Sequence, residues 1–267
     1  MQDKLSIVTI SFNQSEYLHQ CIESVIPQLE EGDEYIVVDP GSTDGSRKII
    51  DSYPQITKIY KSDAGPADGL NNGFSAAKNE YFYFINSDDI LIDGALSIMR
   101  NVITKHKTID VFCFSGFLVN KNLQLLRPMR SFTFSAQRML SCSTTVFQQG
   151  VVFKRKAFED VDGFNQNNRT CWDAELLYDM SVKNKLFMDV DLPVALFRYH
   201  DTSITGSATN FSENKANKDR MFFSSYNRYP NMLDRLQMKV NTYRKYFYLK
   251  YTFTYLWLRL KNSLRLK

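Results

Sequence analysis

Two adjacent carboxylates, Asp88 and Asp89, follow the apolar run YFYFI at 81–85 in this chain of 267 residues. Two carboxylates a few ångströms apart repel each other, so a cation is expected to neutralise them. A hard divalent cation is commonly held by one or two carboxylates together with phosphate oxygens. Most adjacent Asp pairs are helix caps or solvated turns, but this pair directly follows an apolar strand. The pair therefore predicts a site for a divalent cation and a diphosphate.

The elements that would position these carboxylates are alternating strands and helices in the first ninety residues. This alternation predicts a parallel sheet with right-handed crossovers, in which ligands bind beyond the carboxyl ends of the strands. Each predicted strand is followed by a polar, glycine-rich or acidic segment: 5–10 by 11–13, 35–39 by 39–45, 56–61 by 62–69, and 81–85 by 86–89. The four segments should meet at one edge of the sheet and form a binding site there.

Asp39 ends the second predicted strand, where a carboxylate can accept hydrogen bonds from a nucleobase or a ribose, or cap the following turn. The sequence GSTDGS after it offers backbone N–H groups but matches neither the dinucleotide fingerprint nor the P-loop. Asn13, with Glu16 three residues later, predicts a capping-box start of the first helix. Further along, Asp173 lies at the start of a predicted helix at 172–184, where it could act as the N-cap, and His200 ends a predicted strand at 193–200.

Composition limits the class of protein. The apolar fraction of 43% and the charged fraction of 23% are ordinary for a globular enzyme. Four widely spaced cysteines without a CxxC pair predict neither a disulfide framework nor a zinc site, which favours a reducing compartment. The first ten residues lack a signal-peptide pattern, so a cytoplasmic location is expected.

Charge is unevenly distributed along the chain. Nine of the 33 Lys and Arg residues, and none of the 29 Asp and Glu residues, lie between Arg235 and Lys267. A basic tail on an acidic body predicts an anionic partner, either nucleic acid or a lipid surface. The aromatic and cationic segment 243–267 has no uncharged run longer than eight residues, too short to span a bilayer. Its Tyr, Trp, Lys and Arg side chains suit the headgroup region of an anionic membrane, and the alternative is a helix packed on the domain.

The motifs, in their order, resemble inverting glycosyltransferases of family 2, which have the GT-A fold. The resemblance covers roughly residues 4–205 and rests on SIVTISFNQSEYLHQCIESVIPQ (6–28), YIVVDPGSTDGS (35–46), SDAGPADGLNNGF (62–74), YFYFINSDD (81–89), GVVFKRKAFEDVDGFN (150–165) and WDAEL (172–176). It implies an α/β fold with a Rossmann-like, mostly parallel central sheet flanked by helices. The implied domain is 1–210, with a nucleotide-binding half at 1–92 and an acceptor-binding half at 93–210, followed by a helical basic and aromatic extension at 211–267.

The resemblance also implies roles for individual residues. Asp39 would contact the base, usually uracil, although Pro40 stands where the family commonly has a second acidic residue. Asp88 would face the ribose or sugar, and Asp89 would bind Mn²⁺ or Mg²⁺. The donor-binding residues implied are Thr9, Phe12, Asn13, Asp39, Asp63, Asp68, Asn71 and Asp88.

On the acceptor side, Asp173 matches the catalytic base of the family, although Trp172 precedes it where the family more often has Glu. As a general base it would take a proton from an acceptor hydroxyl. His200 would be a second metal ligand, or a structural histidine. The acceptor-side residues implied are Gln148, Gln149, Trp172 and Glu175; for the two glutamines the alternative is a polar strand edge.

The expected function is metal-dependent, inverting transfer of a sugar from a nucleotide-diphosphate sugar, with UDP as the expected nucleotide. The expected acceptor is a lipid-linked saccharide in the synthesis of a surface polysaccharide, such as O-antigen, capsule or exopolysaccharide. The enzyme would lie at the inner face of the plasma membrane, held by its C-terminal tail. One alternative is a nucleotidyltransferase acting on sugar phosphates, but segment 11–17 lacks the glycines and lysine of a triphosphate loop. The other is a nucleic-acid-binding protein, which the acidic body disfavours.

Overall fold

The computed structural model describes residues 3–200 and 211–246. Strands and helices alternate through most of this part of the chain. The strands are β1 (Leu5–Ile10), β2 (Glu34–Val38), β3 (Thr57–Ile59), β4 (Tyr81–Phe84), β5 (Ile90–Leu91), β6 (Val111–Asn120), β7 (Leu125–Met129), β8 (Val151–Lys154) and β9 (Phe187–Tyr199). The α-helices are α1 (Ser15–Val25), α2 (Ser46–Asp51), α3 (Pro66–Ala76), α4 (Ala95–Lys105), α5 (Ala136–Leu140), α6 (Arg155–Glu159), α7 (Trp172–Val182), α8 (Phe211–Tyr226) and α9 (Met232–Tyr246).

The first four strands form the parallel half of one mixed sheet, in the order β3-β2-β1-β4. Strands β1, β2 and β4 are buried along nearly their whole length, as expected for parallel strands covered on both faces. The predicted parallel sheet is therefore confirmed, and its carboxyl ends lie along one edge. Beyond β4 the sheet is mixed, because β8 runs antiparallel to both β4 and β6, while β9 runs parallel to β6.

An aromatic cluster on one face of the sheet fixes the start of α7. The ring of Trp172 packs against Phe84 at 5.7 Å and against Phe164 at 5.3 Å between centroids. Phe164 in turn packs against Phe74 of α3 at 6.3 Å. Aromatic pairs at these separations stabilise beyond the area that they bury. The cluster therefore holds the first turn of α7 against the sheet edge.

The start of α1 differs from the prediction. The helix begins at Ser15, and Asn13 lies outside it with φ of 52°. The Asn13 side chain accepts a hydrogen bond from Thr43 N–H at 2.9 Å, and Asn13 N–H donates to Ser42 Oγ at 2.8 Å. The capping box with Glu16 does not form because Asn13 instead joins the loop after β1 to the loop after β2.

The helical pattern predicted from residue 211 is present as far as residue 246. Met221 and Phe222 of α8 are buried against α5 and Tyr178 of α7. No helix within 3–200 or 211–246 is long and apolar enough to cross a membrane. The predicted loop at 201–207 and most of the aromatic tail, 247–267, lie outside the described residues.

Candidate active site

The ends of the parallel strands line an open cavity of about 780 Å³. The predicted meeting of the four polar segments is thus present, since residues after β1, β2, β3 and β4 all contribute to its wall. Of the residues that the sequence singled out, seven line this cavity: Phe12, Asp63, Asp88, Gln148, Gln149, Trp172 and Asp173. Phe12 is 60% exposed at the cavity, and a planar base could stack on such an exposed ring.

Asp88 and His200 form a pair at the cavity. His200 Nε2 lies 3.0 Å from Asp88 Oδ2, although the two residues are 112 positions apart in sequence. The Asp88 side chain keeps 17% of its surface exposed, whereas His200 is nearly buried and packs on the ring of Tyr17 at 4.8 Å. A carboxylate and an imidazole are both suitable ligands for a Mn²⁺-like ion.

Asp89 does not occupy the position predicted for a metal ligand. Its side chain is fully buried, with Oδ1 accepting from Arg198 N–H at 2.9 Å. Oδ2 accepts from Gln149 Nε2 at 3.0 Å and from Asn86 Nδ2 at 3.3 Å. Burial, and then the neighbouring Asp88 carboxylate, raise the pKa of Asp89. The metal role of Asp89 therefore stays a prediction that this placement does not support: its oxygens hold the turn, and Asp88 is the carboxylate that lines the cavity.

Asp39 carries a buried oxygen without a partner. Its Oδ1 accepts from Gly41 N–H at 2.9 Å, Ser42 N–H at 2.8 Å and Arg47 Nε at 3.0 Å. Its Oδ2 is buried and has no hydrogen-bond partner among the described residues. A buried polar atom without a partner is costly, so an atom that would donate to Oδ2 on binding is expected here. Sequence reasoning missed Arg47, whose guanidinium also stacks on Tyr60 at 4.6 Å.

Three of the donor-binding predictions are not supported by side-chain placement. Thr9 is buried, and its hydroxyl pairs with the hydroxyl of Tyr35 at 3.1 Å. Asn71 exchanges two hydrogen bonds with the backbone of Phe164, at 2.8 and 2.9 Å. Asp68 accepts from Ala64 N–H and from Gln166 Nε2. The side chains of Asn71 and Asp68 therefore join α3 to the segment before α7 instead of lining the cavity.

Asp63 and Asp173 are the other two carboxylates at the cavity. Asp63 accepts from Gly65 N–H at 3.0 Å, and burial raises its pKa. Asp173 is the second residue of α7, whose N-cap is Cys171 without a side-chain capping bond. Asp173 is therefore not the helix cap that was its alternative role. Burial raises the pKa of Asp173, which suits a group that must accept a proton.

Glu175 lies away from the cavity and is 3% exposed. It accepts from Asn165 Nδ2 at 2.9 Å, Asn168 Nδ2 at 2.5 Å and Arg220 Nη2 at 2.7 Å. This placement does not support the predicted acceptor-side role of Glu175, because its carboxylate ties α7 to α8. Arg220 on α8 was also missed, because no local pattern marks a partner 45 positions away.

Gln148 and Gln149 both line the cavity but differ in their hydrogen-bond partners. Gln149 supports Asp89, as its Nε2 donates to that carboxylate. Gln148 accepts from Asn86 at 3.3 Å, and its buried Nε2 has no partner among the described residues. Gln148 is therefore the better placed of the two to donate to a bound group.

The described residues offer only part of a metal coordination shell. No cluster of three or more His, Cys, Asp and Glu side chains suited to a metal occurs within 3–200 and 211–246. Asp88 and His200 could supply two ligands to Mn²⁺ or Mg²⁺, and the remaining ligands would have to come from substrate oxygens or water, as is common for Mg²⁺ at phosphate sites.

Two solved glycosyltransferase structures share this architecture. TarS of S. aureus, residues 1–349 in complex with UDP-GlcNAc, superimposes with a TM-score of 0.68, covering 92% of this chain and 73% of TarS at 17% identity. The mannosyltransferase PcManGT of Pyrobaculum calidifontis, in complex with GDP-Man and Mn²⁺, has a TM-score of 0.61, covering 91% and 70% at 13% identity. These likenesses establish the GT-A fold that the sequence predicted.

Sequence relatives agree. An uncharacterized glycosyltransferase of Rickettsia typhi is 24% identical over 219 residues, which are 77% of this chain and 67% of that protein. The glycosyltransferase GlyG of Streptococcus pneumoniae serotype 4 is 31% identical over 116 residues, which are 42% of this chain and 38% of GlyG. Residues 6–162, more than half of the chain, match the family model for glycosyl transferase family 2. The chain therefore belongs to glycosyl transferase family 2 and is a transferase enzyme.

Proposed function

We propose that the protein transfers a sugar from a UDP-sugar to an acceptor hydroxyl, with inversion and with the help of a divalent cation. The observation that carries the proposal is that one cavity is lined by both Asp88, paired with His200, and Asp173. The Asp88–His200 pair suits the metal and diphosphate of a donor, and the carboxylate of Asp173 suits the activation of an acceptor hydroxyl. TarS bound to UDP-GlcNAc and PcManGT bound to GDP-Man and Mn²⁺ support this class of donor.

Asp39 supports uracil as the base. Its unpartnered Oδ2 would accept the imide N–H of uracil, whereas the corresponding ring nitrogen of cytosine is an acceptor and would repel it. Phe12 would provide the exposed ring beside the base. The expected preference is therefore for UDP over CDP.

The chemistry follows from the arrangement of these groups. Asp173 takes the proton of the acceptor hydroxyl, whose oxygen then attacks the anomeric carbon from the side opposite the diphosphate. A metal held by Asp88 and His200 would stabilise the negative charge on the leaving diphosphate. A single displacement of this kind inverts the anomeric configuration.

The proposed acceptor is a lipid-linked saccharide in the synthesis of a surface polysaccharide, reached from the inner face of the plasma membrane. The basic segment Arg235 to Lys267 supports this setting, because Lys and Arg are attracted to anionic lipid headgroups.

The proposed donor is tested by a panel of UDP-, GDP-, CDP- and ADP-sugars, measured by calorimetry with Mn²⁺, with Mg²⁺ and with EDTA. UDP-sugars are expected to bind at least tenfold more tightly with metal than with EDTA, and Asp39→Asn is expected to lose the preference for UDP over CDP. Asp162→Asn, at an exposed position with φ of 58°, is the matched control. Absence of UDP-sugar binding with and without metal would refute the proposed donor, and tighter binding of GDP-sugars would refute uracil.

The raised pKa of Asp173 predicts the pH dependence of transfer. A general base acts in its ionised form, so activity is lost as the pH falls through its pKa. Because burial raises that pKa, the acid limb of kcat/KM should lie above the ordinary value of about 3.9 for Asp. Donor affinity is measured at each pH as the control, so that a loss of donor binding is not mistaken for protonation of the base. A kcat/KM that stays flat to pH 4, with donor binding intact, would contradict this assignment.

A further inference from the structure

Helix α9 is attached to the protein by one face. Met238 packs on the small cluster that α8 forms with α5 and α7. Arg235 Nη2 pairs with Asp219 Oδ2 at 3.0 Å, and Asn241 Nδ2 donates to Ser141 O at 2.8 Å. These contacts come from three successive turns, so they fix which side of the helix faces outward.

The outward side carries apolar residues that are unusually exposed. Leu233 is 74% exposed, Leu236 55%, Val240 42% and Tyr243 65%, and their spacing of three and four residues places them in one stripe. Met232, at the start of the helix, is 85% exposed. We call these five residues the α9 outer face. A contiguous exposed apolar patch of this kind marks an interaction surface.

Two cations border the α9 outer face. Lys239 lies three residues after Leu236 and four before Tyr243, and Arg244 lies four residues after Val240, so both are neighbours of the stripe on the helix surface. Both side chains are exposed. The acidic residue of the first turn, Asp234, is turned away from the stripe and pairs with Arg228. The exposed apolar stripe is thus accompanied by positive charge.

The positive charge beside the α9 outer face indicates which partner binds it. A second copy of the chain would bring its own cationic borders against Lys239 and Arg244. The segment of this chain that follows α9, residues 247–267, carries five Lys and Arg and no Asp or Glu, so its charge is also unfavourable. An anionic bilayer accepts apolar side chains at its acyl boundary and cations at its phosphates, and it matches both features.

We propose that the α9 outer face is a docking surface for anionic phospholipid membranes. The helix would lie in the plane of the interface, with Leu236 and Val240 toward the acyl chains. Lys239 and Arg244 would reach the headgroups. This inference rests on the membrane setting of the proposed function and is independent of the transfer reaction.

Vesicle co-sedimentation of the full chain tests the docking surface, using phosphatidylcholine vesicles with and without 30% phosphatidylglycerol (about one-third anionic lipid, the leaflet charge that attracts basic segments). Wild type is expected to bind the anionic vesicles and to be released by salt. Leu236→Gln with Val240→Gln is expected to reduce binding at least tenfold, because Gln keeps helix propensity but removes apolar area. Lys239→Gln with Arg244→Gln should reduce it roughly fivefold for each cation removed.

The matched control is Val182→Gln with Leu186→Gln, two apolar residues that are each 53% exposed outside α9. Its vesicle binding should equal that of wild type. Unchanged binding in the Leu236→Gln/Val240→Gln variant would overturn the proposal, as would equal binding to neutral vesicles. Analytical ultracentrifugation tests the alternative partner. If wild type forms a dimer that the Leu236→Gln/Val240→Gln variant loses and the control variant keeps, the α9 outer face binds a second copy of the chain instead.

Donor binding separates this inference from the proposed function. The α9 variants should retain the metal-dependent UDP binding of wild type, because none of the altered residues lines the cavity. Vesicle binding that depends on the α9 outer face in a protein without UDP binding would refute the transfer proposal and leave the docking surface in place.

Discussion

Replacing Asp173 by Asn is expected to lower the rate of sugar transfer by about 10²–10⁴-fold, the usual contribution of a positioned general base. The substitution keeps the size and shape of the side chain at the cavity wall but removes its ability to take a proton. Asp173 is not the N-cap of α7, and Asn can still accept hydrogen bonds from the backbone N–H groups of the first turn, so the fold should change little. Calorimetric affinity for the UDP-sugar is expected to stay within about twofold of wild type, so that the loss appears in kcat.

Glu175→Gln is the informative comparison, because Glu175 is the other carboxylate in the same helical turn. Its three hydrogen bonds and its distance from the cavity predict that this variant loses stability through the contact with Arg220. A variant that unfolds earlier yet retains transfer well above that of Asp173→Asn is the expected outcome. Full transfer by Asp173→Asn, or a greater loss with Glu175→Gln in the folded protein, would remove Asp173 as the base.

Substitutions of the neighbouring carboxylates Asp88 and Asp89 are expected to affect different properties: metal-dependent donor binding for Asp88 and stability for Asp89. Asp88→Asn should abolish the increase in donor affinity that Mn²⁺ or Mg²⁺ provides, so that binding with metal falls to the level measured in EDTA. The free energy of unfolding should hardly change, because Asp88 is partly exposed and pairs with the side chain of His200. Isothermal titration with and without metal measures the first quantity, and denaturant unfolding measures the second.

Asp89→Asn should instead reduce the free energy of unfolding by about 2–3 kcal/mol, since an amide group would face N–H donors inside the protein. At present the carboxylate accepts from Arg198 N–H, Gln149 and Asn86, and no atom of it is exposed. The reverse result would assign the metal to Asp89. In that case Asp89→Asn would have normal stability but no metal-dependent increase in donor affinity, and Asp88→Asn would keep that increase.

The architecture of the first half follows from local patterns. Apolar runs such as Leu5–Ile10 and Tyr81–Phe84 are flanked by helical periodicity, and parallel strands covered on both faces require that combination. The sequence pattern therefore predicts that the polar segments after these strands lie at the carboxyl edge of the sheet. The second half was less predictable, because the antiparallel pairing of β8 with β4 and β6 joins residues that are 38 to 73 positions apart in sequence.

The sequence by itself predicted that carboxylates end the strands and that their edge forms a binding site, and the resemblance to family 2 glycosyltransferases implied that Asp39, Asp88 and Asp173 belong to it. Only the tertiary structure decided which carboxylate of the pairs Asp88/Asp89 and Asp173/Glu175 lines the cavity. Asp89 is turned inward by the backbone of Arg198, which is 109 positions away, and Glu175 by Arg220. Adjacent or nearby carboxylates have the same local pattern, so their orientation depends on distant donors that only the folded chain brings together.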